Sequence, residues 1–168
     1  MIDKGIMAYA IRDYRDGDAS ALADLTLAAI RGVGAYGYSQ QQLEAWAARH
    51  PGPERFRARN QQGHRIFVAA DAEDHAVAYT LLEPDGHLDM LYCHPDHTRR
   101  GLADQLLAHS EAFARSEGMK TLYTEASELA WPAFERAGYQ VMHRRDFEIP
   151  SGDEAVPIHN YAMEKRLG

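Results

Sequence analysis

The chain changes from a strand pattern to a helix pattern at His94-Pro95-Asp96-His97-Thr98-Arg99-Arg100-Gly101-Leu102-Ala103. The N–H groups in the first turn of a helix lack partners within the helix, and the helix dipole adds positive charge there, so anions bind at such a terminus. Gly101 permits close approach of the backbone, and Arg99 and Arg100 offer planar donors to phosphate. The stretch predicts a site for a phosphate-bearing cofactor, although such a turn also occurs as structure alone.

Two better-known phosphate loops are excluded by the sequence. It contains no Gly-x-x-x-x-Gly-Lys-Ser/Thr, and no Gly-x-Gly-x-x-Gly follows this strand. Residues 98–103 instead resemble the acetyl-CoA pyrophosphate loop of the GNAT N-acetyltransferase superfamily, Gln/Arg-x-x-Gly-x-Gly/Ala, from which Thr98 departs. The preceding Leu91-Tyr92-Cys93-His94-Pro95-Asp96 resembles the fourth strand of that family and its exit.

A second segment carries the same resemblance. Ser127-Glu128-Leu129-Ala130 and Phe134-Glu135-Arg136-Ala137-Gly138-Tyr139 are similar, in order and spacing, to the family's Asn-x-x-Ala and Tyr-Glu-Lys-x-Gly-Phe. Ser127 stands for the asparagine and Phe134 for the tyrosine. Three further segments resemble the bacterial YafP-like subgroup: Tyr38-Ser39-x-x-Gln42-Leu43-x-x-Trp46, residues 123–127, and Asn160-Tyr161-x-Met163-x-Lys165.

The length, composition and net charge of the chain limit the classes of protein to which it can belong. At 168 residues the chain is expected to form a single domain, which we assign to residues 8–166. Its one cysteine, Cys93, lies in an apolar run and indicates a reducing compartment. Without an apolar run long enough for a membrane span or the layout of a signal peptide, a soluble cytoplasmic protein is expected. The net charge of −7 argues against a nucleic-acid partner and favours a small cationic substrate.

Hydrophobic spacing predicts the elements. Strands are expected at residues 8–14, 66–70, 76–82, 87–93, 122–126, 139–149 and 157–163. Helices are expected at residues 19–30, after Ser39, from Leu102 to Gly118, and at 131–137. The long connection through the helix after Leu102 implies a parallel crossover with the ligand at the carboxyl end of the first strand. We predict an α+β fold, which is also what the resemblance implies: a mixed, mostly antiparallel central sheet, flanked by helices, with one parallel crossover that carries the CoA site.

The resemblance implies how the cofactor is held. In the family, backbone groups of the fourth strand bind the pantetheine and polarise the acetyl carbonyl, which transfers those roles to the main chain of Leu91, Tyr92 and Cys93. The pyrophosphate would lie on Thr98, Arg99, Arg100, Gly101, Leu102 and Ala103. Ser127 and Phe134 occupy the remaining cofactor positions, with Phe134 beside the thiol end.

Three titratable residues are candidates for the general base. His87 and Asp89 are two apart on one predicted strand and so share a face, and Glu125 lies on the neighbouring strand. Each of them is alternatively a solvated charge or an ion-pair partner, which is the commoner role for such a group.

The family's usual general acid is the tyrosine that Phe134 replaces, and a phenyl ring has no proton to donate. Tyr123 and Tyr161 are possible substitutes, although a tyrosine on an apolar strand more often packs in the core. A donor is also dispensable, because a thiol with a pKa of about 8.5 leaves as thiolate near neutral pH.

Some histidines and aromatic residues allow further interpretations. His94 and His97, beside Cys93, are of the types that bind zinc, but they flank a proline in a loop without a second ligand pair, so no metal is expected. Tyr36, Tyr38 and Trp46 are candidates for the acceptor pocket, because aromatic faces attract cations. Packing of Trp46 on the sheet is an equally good interpretation.

These observations predict an acetyl-CoA-dependent N-acetyltransferase that transfers the acetyl group directly to the amine of a small molecule, without Cys93 as nucleophile. Neither a nucleic-acid nor a membrane partner is expected, and both a monomer and a homodimer are compatible with the sequence. A non-catalytic acyl-CoA binding or sensing module is the alternative, because Phe134 and Ser127 replace two family residues. An acyltransferase with a bulkier thioester or an oxygen acceptor is a third interpretation.

Overall fold

A computed structural model describes residues 8–50 and 52–168. Its helices are α1 (Ala19–Gly32), α2 (Gln40–Ala47), α3 (Glu54–Gln61), α4 (Leu102–Ser116) and α5 (Trp131–Arg136). Its strands are β1 (Ala10–Asp13), β2 (Arg65–Ala70), β3 (Ala76–Leu82), β4 (Leu88–Cys93), β5 (Thr121–Ala126), β6 (Gln140–Ser151) and β7 (Glu154–Arg166). Within these ranges, every helix lacks the length or the apolar character that crossing a bilayer requires.

The strands form two antiparallel sheets, with the orders β1-β2-β3-β4 and β5-β7-β6. Helix α4 connects β4 to β5, which run parallel and share a bridge between His87 and Tyr123. The predicted α+β fold, with one parallel crossover in a mostly antiparallel arrangement, is confirmed. The structure adds that the strands separate into two sheets at this crossover.

Helices cover both faces of the first sheet because alternate residues of β2 point to opposite sides. Ile66 and Val68 lie in a core cluster with Leu22 of α1 and Phe56 of α3. Phe67 and Ala69 lie in another cluster, with Leu102 and Leu106 of α4. The sheet is therefore buried on two sides, as the continuous apolar sequence of β2 requires.

Helix α2 covers the second sheet and begins with a capping box. The N–H of Gln42 donates to Ser39 Oγ at 3.2 Å, and the N–H of Ser39 donates to Gln42 Oε1 at 2.8 Å. Leu43 then packs with Ile149 of β6 and Ile158 of β7. The helix predicted after Ser39 is confirmed.

Two differences from the predicted elements have physical causes. Helix α3 was not predicted, because Phe56 is its buried residue and its other side chains give no apolar periodicity. Strand β7 begins at Glu154, before the predicted start at Pro157. Proline lacks an N–H and is tolerated where a strand has an open edge. β7 has such an edge at Pro157, because β5 pairs with it only from Tyr161 onward.

The two sheets are joined at Gly86, in the turn between β3 and β4. The N–H of Tyr123 donates to the Gly86 carbonyl oxygen at 3.1 Å. Gly86 has a φ of +100°, and a Cβ at this position would lie 2.3 Å from the carbonyl oxygen of Thr121. Only glycine allows β5 to approach the turn this closely.

We expect Gly86→Ala to destabilise the protein by about 3 kcal/mol or more, because it combines a left-handed backbone with a collision against fixed backbone. Gly63→Ala is the matched control. Gly63 has a φ of +90° but open space around the new Cβ, so only the strain of about 1 kcal/mol is expected. Urea denaturation measures both free energies of unfolding, and equal losses would contradict the assignment of this contact.

Candidate functional site

A cavity of about 580 Å³ lies between β4 and β5. The strands are in contact where β4 begins, since Thr124 Oγ1 donates to the Leu88 carbonyl oxygen at 2.7 Å. Residues 89–92 of β4 and 124–127 at the end of β5 line the cavity, and α2, α3, α5, β6 and β7 contribute to its walls. A cavity of this size accommodates a small organic molecule.

Asp89 reaches the cavity from a bulge in β4. Leu81 pairs with Met90 and Leu82 pairs with Leu88, so Asp89 is the additional residue between them. A bulge redirects side chains and is common beside functional sites. The Asp89 carboxylate is 3.0 Å from Arg59 Nη2, so this predicted base has a cationic partner.

The predicted phosphate loop follows β4 directly. A short 3₁₀ turn, Pro95–His97, leads to Gly101, which has a φ of +76° and precedes α4. Gly101, the N-cap residue of α4, has no side chain that could bond the N–H groups of the first turn, and such groups suit an anion. Arg99 and Arg100 are exposed beside it. The geometry suits the predicted phosphate-binding role of residues 98–103, which stays a prediction.

The other two candidate bases form an ion pair with each other. His87 Nε2 is 2.9 Å from Glu125 Oε2, and His87 Nδ1 is 3.3 Å from Glu83 Oε1. Glu125 lines the cavity, whereas His87 is outside its lining. Burial lowers the pKa of His87, but the hydrogen bond and charge of Glu125, with Asp89 and Glu83 nearby, outweigh this and raise the pKa to about 9. His87 is therefore a cation at neutral pH.

Of the three predicted acceptor residues, Tyr38 and Trp46 line the cavity. Their rings meet edge to face, with centroids 5.5 Å apart. The buried Tyr38 hydroxyl donates to the His159 carbonyl oxygen at 2.9 Å and accepts from the Glu128 N–H at 2.8 Å. Burial raises the pKa of this hydroxyl. Tyr36 is 87% exposed and lies outside the cavity lining.

Ser127 and Phe134 line the same cavity as the predicted bases. Ser127 Oγ accepts from the Ala130 N–H at 3.1 Å and so fixes the turn before α5. Phe134 is 2% exposed and packs edge to face on Tyr139, with centroids 5.0 Å apart. The ring thus fills space beside the cavity where a tyrosine would place a hydroxyl.

The two tyrosines considered as substitute acids lie outside the cavity lining. The hydroxyl of Tyr123 donates to Asp85, which raises the pKa of Tyr123 to about 12. A hydrogen bond to Glu128 likewise raises the pKa of Tyr161. Both hydroxyls therefore hold their protons against nearby carboxylates.

The histidines and the cysteine after β4 have other partners. His94 Nδ1 accepts from the Asp96 N–H at 3.1 Å, and His97 Nδ1 is 2.8 Å from the Tyr9 hydroxyl. Burial raises the pKa of the Cys93 thiol to about 11, so it is protonated at neutral pH. This supports the expectation that Cys93 is not a nucleophile.

Glu83, His87 and Asp89 offer ligand atoms that all lie within 4.8 Å of one another. The same place already holds a cation, because Arg59 Nη2 is 2.7 Å from Glu83 and 3.0 Å from Asp89. We therefore interpret the cluster as an ion-pair network built around the Arg59 guanidinium.

Several polar residues of the cavity were not predicted from the sequence: Arg49, His50, Arg55, Arg145, His159 and Asn160. They come from the segment after α2, from α3 and from the β6–β7 hairpin. No motif joins these segments, and they meet only in the folded chain. A pattern along β6, where Arg145, Phe147 and Ile149 alternate with exposed residues, is the one signal that would have placed Arg145 on the inner face.

Comparisons with known proteins agree with this geometry. The family model of the acetyltransferase (GNAT) domain matches residues 35–151. The chain is 30% identical over 138 residues to the uncharacterized N-acetyltransferase YafP of Escherichia coli strain K12, with 82% of this chain and 85% of that protein covered.

Solved structures show the same fold. The crystal structure of a GCN5-related N-acetyltransferase (aminotransferase, class II) from Rhodopseudomonas palustris has a TM-score of 0.83 at 31% identity, covering 96% of this chain and 98% of that one. PaiA N-acetyltransferase from Thermoplasma acidophilum, solved with coenzyme A, has a TM-score of 0.75 at 18% identity, covering 95% and 99%. At that identity the likeness concerns the fold alone.

The raised pKa of His87 predicts a pH-dependent stability. Below the ordinary pKa of about 6.5, both folded and unfolded chains carry the proton, so the stabilisation is complete. It is lost as the pH rises through about 9. We expect the difference in free energy of unfolding between the native protein and His87→Gln to shrink across this window.

Urea denaturation at several pH values measures that difference. His143→Gln is the control, because His143 is exposed and forms no ion pair with another described residue. A difference for His87→Gln that stays constant from pH 6 to pH 9 would contradict the charged state assigned to this histidine.

Proposed function

This chain belongs to the GNAT acetyltransferase family and uses acetyl-CoA as cosubstrate, and we propose that it transfers the acetyl group directly to the amine of a small molecule. The observation that carries the proposal is the cavity between β4 and β5, whose lining includes the carboxylates of Asp89 and Glu125; the loop that precedes α4 continues directly from β4. Both substrates would meet there.

The donor would lie along β4. The free edge of this strand faces β5, so main-chain groups of Leu91, Tyr92 and Cys93 are available to the pantetheine and to the acetyl carbonyl. The pyrophosphate would contact the first turn of α4 at Gly101, with Arg99 and Arg100 beside it. Ser127 and Phe134 would border the thiol end.

The proposed reaction takes place at the thioester carbon of acetyl-CoA. A neutral amine attacks the thioester carbon, the new C–N bond forms, and the C–S bond breaks as CoA leaves as thiolate. The proton from the amine passes to a carboxylate, for which Glu125 and Asp89 are the candidates because both line the cavity. The thiolate takes a proton from solvent, so Phe134 needs no donor role.

The amine would enter as an ammonium ion before it loses its proton. Tyr38 and Trp46 provide aromatic surface beside the carboxylates, and a cation over such a ring gains about 0.5 to 2 kcal/mol. This is the basis for a small cationic amine as acceptor. Tyr36 would contribute only if its exposed ring turned toward the opening.

The donor site is tested by Gly101→Asp, for which we expect CoA affinity to fall at least about 100-fold, because a carboxylate would meet the phosphates. Gly118→Asp is a matched control at the other end of α4. Gly101 and Gly118 have φ values of +76° and +75°, and neither would bring a Cβ into a close contact. Calorimetry should show unchanged CoA affinity for Gly118→Asp. Equal losses of affinity in the two variants would contradict the assignment of the phosphate site to residues 98–103.

The acceptor chemistry is tested by release of free thiol from acetyl-CoA with a panel of amines. We expect Glu125→Gln to lower kcat/KM by about 100-fold and to remove the acidic limb of its pH profile, as loss of a general base does. Asp89→Asn should keep that limb. A limb that survives both substitutions would exclude these bases. Binding of acetyl-CoA without turnover of any amine would favour the acyl-CoA binding module instead.

A further inference from the structure

Arginines line the cavity without forming an ion pair with any carboxylate of the described chain: Arg49, Arg55 and Arg145. Arg55 Nη1 donates to the Arg49 carbonyl oxygen at 2.8 Å. Arg145 Nη1 donates to Asn160 Oδ1 at 3.0 Å. These partners are neutral, so the guanidinium charges remain uncompensated.

Arg145 is also held from its other side. Its guanidinium lies over the Phe147 ring, 5.1 Å from the ring centroid. Both Phe147 and Asn160 line the cavity with it. A guanidinium fixed between a ring and an amide is preorganised, and its remaining N–H groups present the planar fork that matches an oxyanion.

The carboxylates of the cavity do not pair with these arginines. Asp89 pairs with Arg59 and Glu125 pairs with His87, and Glu83 shares both of these cations. Glu148, the remaining carboxylate of the lining, is exposed to water. Arg55 and Arg145 are therefore half-buried cations of the lining without a carboxylate partner among the described residues.

The charges of these arginines also affect His50, which lines the same cavity. Burial, followed by the charges of Arg55 and Arg49 and opposed by Asp89, lowers the pKa of His50 to about 4. His50 is thus neutral at physiological pH. Its ring lies 5.6 Å from the Tyr92 ring at this wall.

We propose that the acceptor carries an oxyanionic group, a carboxylate or a phosphonate, that Arg145 binds with Arg55 as a second cation. This inference rests on the proposed function, since it describes the acceptor of the same reaction. The amine would face Glu125 and Asp89, and the oxyanion would face β6 and α3. The acceptor is then a small zwitterion of the amino-acid type, cationic at its amine and anionic at its other end.

The test uses α- and ω-amino acids, each paired with its own carboxamide, together with aminoalkylphosphonates. Free-thiol release is measured for the native protein, Arg145→Gln, Arg145→Lys, Arg55→Gln and Arg144→Gln. Arg144 is the matched control, because it is the preceding residue of β6, lies outside the cavity lining and pairs with Asp146.

We expect the best anionic acceptor to exceed its carboxamide by about tenfold or more in kcat/KM. Arg145→Gln should remove this preference through KM, Arg145→Lys should restore part of it, and Arg55→Gln should weaken it. Arg144→Gln should leave it unchanged. Carboxamides that react as well as the amino acids, or a preference that survives Arg145→Gln, would overturn the inference and leave the acetyltransferase assignment intact.

Binding separates the two proposals. The same matched pairs are titrated by calorimetry into the CoA-saturated protein, where no chemistry occurs. If no amine is acetylated, the proposal of direct transfer is wrong. The oxyanion site is still supported if the anionic compound of each pair binds more tightly than its carboxamide and Arg145→Gln abolishes this difference. The absence of that preference in binding overturns it.

Discussion

The site exists because β4 and β5 are held together at one end only. The N–H of Tyr123 donates to the Gly86 carbonyl oxygen. Beyond this point β4 pairs with β3, and β5 pairs with β7 in the other sheet. Two strand edges therefore face each other across a gap. Backbone groups in such a gap require partners, because an unpaired buried N–H or carbonyl is costly. A ligand with its own amide groups supplies them, which is why a forked sheet suits an extended pantetheine arm.

The net charge of the whole chain does not indicate which charges a ligand meets in the cavity. The net charge of −7 describes a solvated surface, where screening makes single charges interchangeable. Inside the cavity each charge acts through its immediate partner. Glu83, Asp89 and Glu125 share Arg59 and His87, whereas Arg145 is bonded to the neutral amide of Asn160. The half-buried charges of the lining that lack an opposite partner among the described residues are thus positive, although the chain is negative overall.

Local sequence determines much of the proposed donor end and little of the proposed acceptor end. Gly101 and the helix after it follow from neighbouring residues, since the turn and the periodicity lie within one stretch. The bulge at Asp89 does not follow, because it depends on the register with β3. Nor does the convergence of His50, on the segment after α2, with Arg145, on a distant strand, because only the folded sheets bring them together. Helix α3 was not predicted either, because its residues are mostly polar and give no apolar periodicity.

Helix α3 places Arg55 beside the cavity and Arg59 beside Glu83 and Asp89, yet Phe56 alone anchors it in the core. Apart from Arg59, which holds Glu83 and Asp89, its other residues are under little packing constraint, so exchanging them costs little stability. Substitutions in α3 therefore change the lining of the cavity without disturbing the sheets or the loop that precedes α4. In engineering terms, this short helix is where the cavity can be reshaped at a low cost in stability.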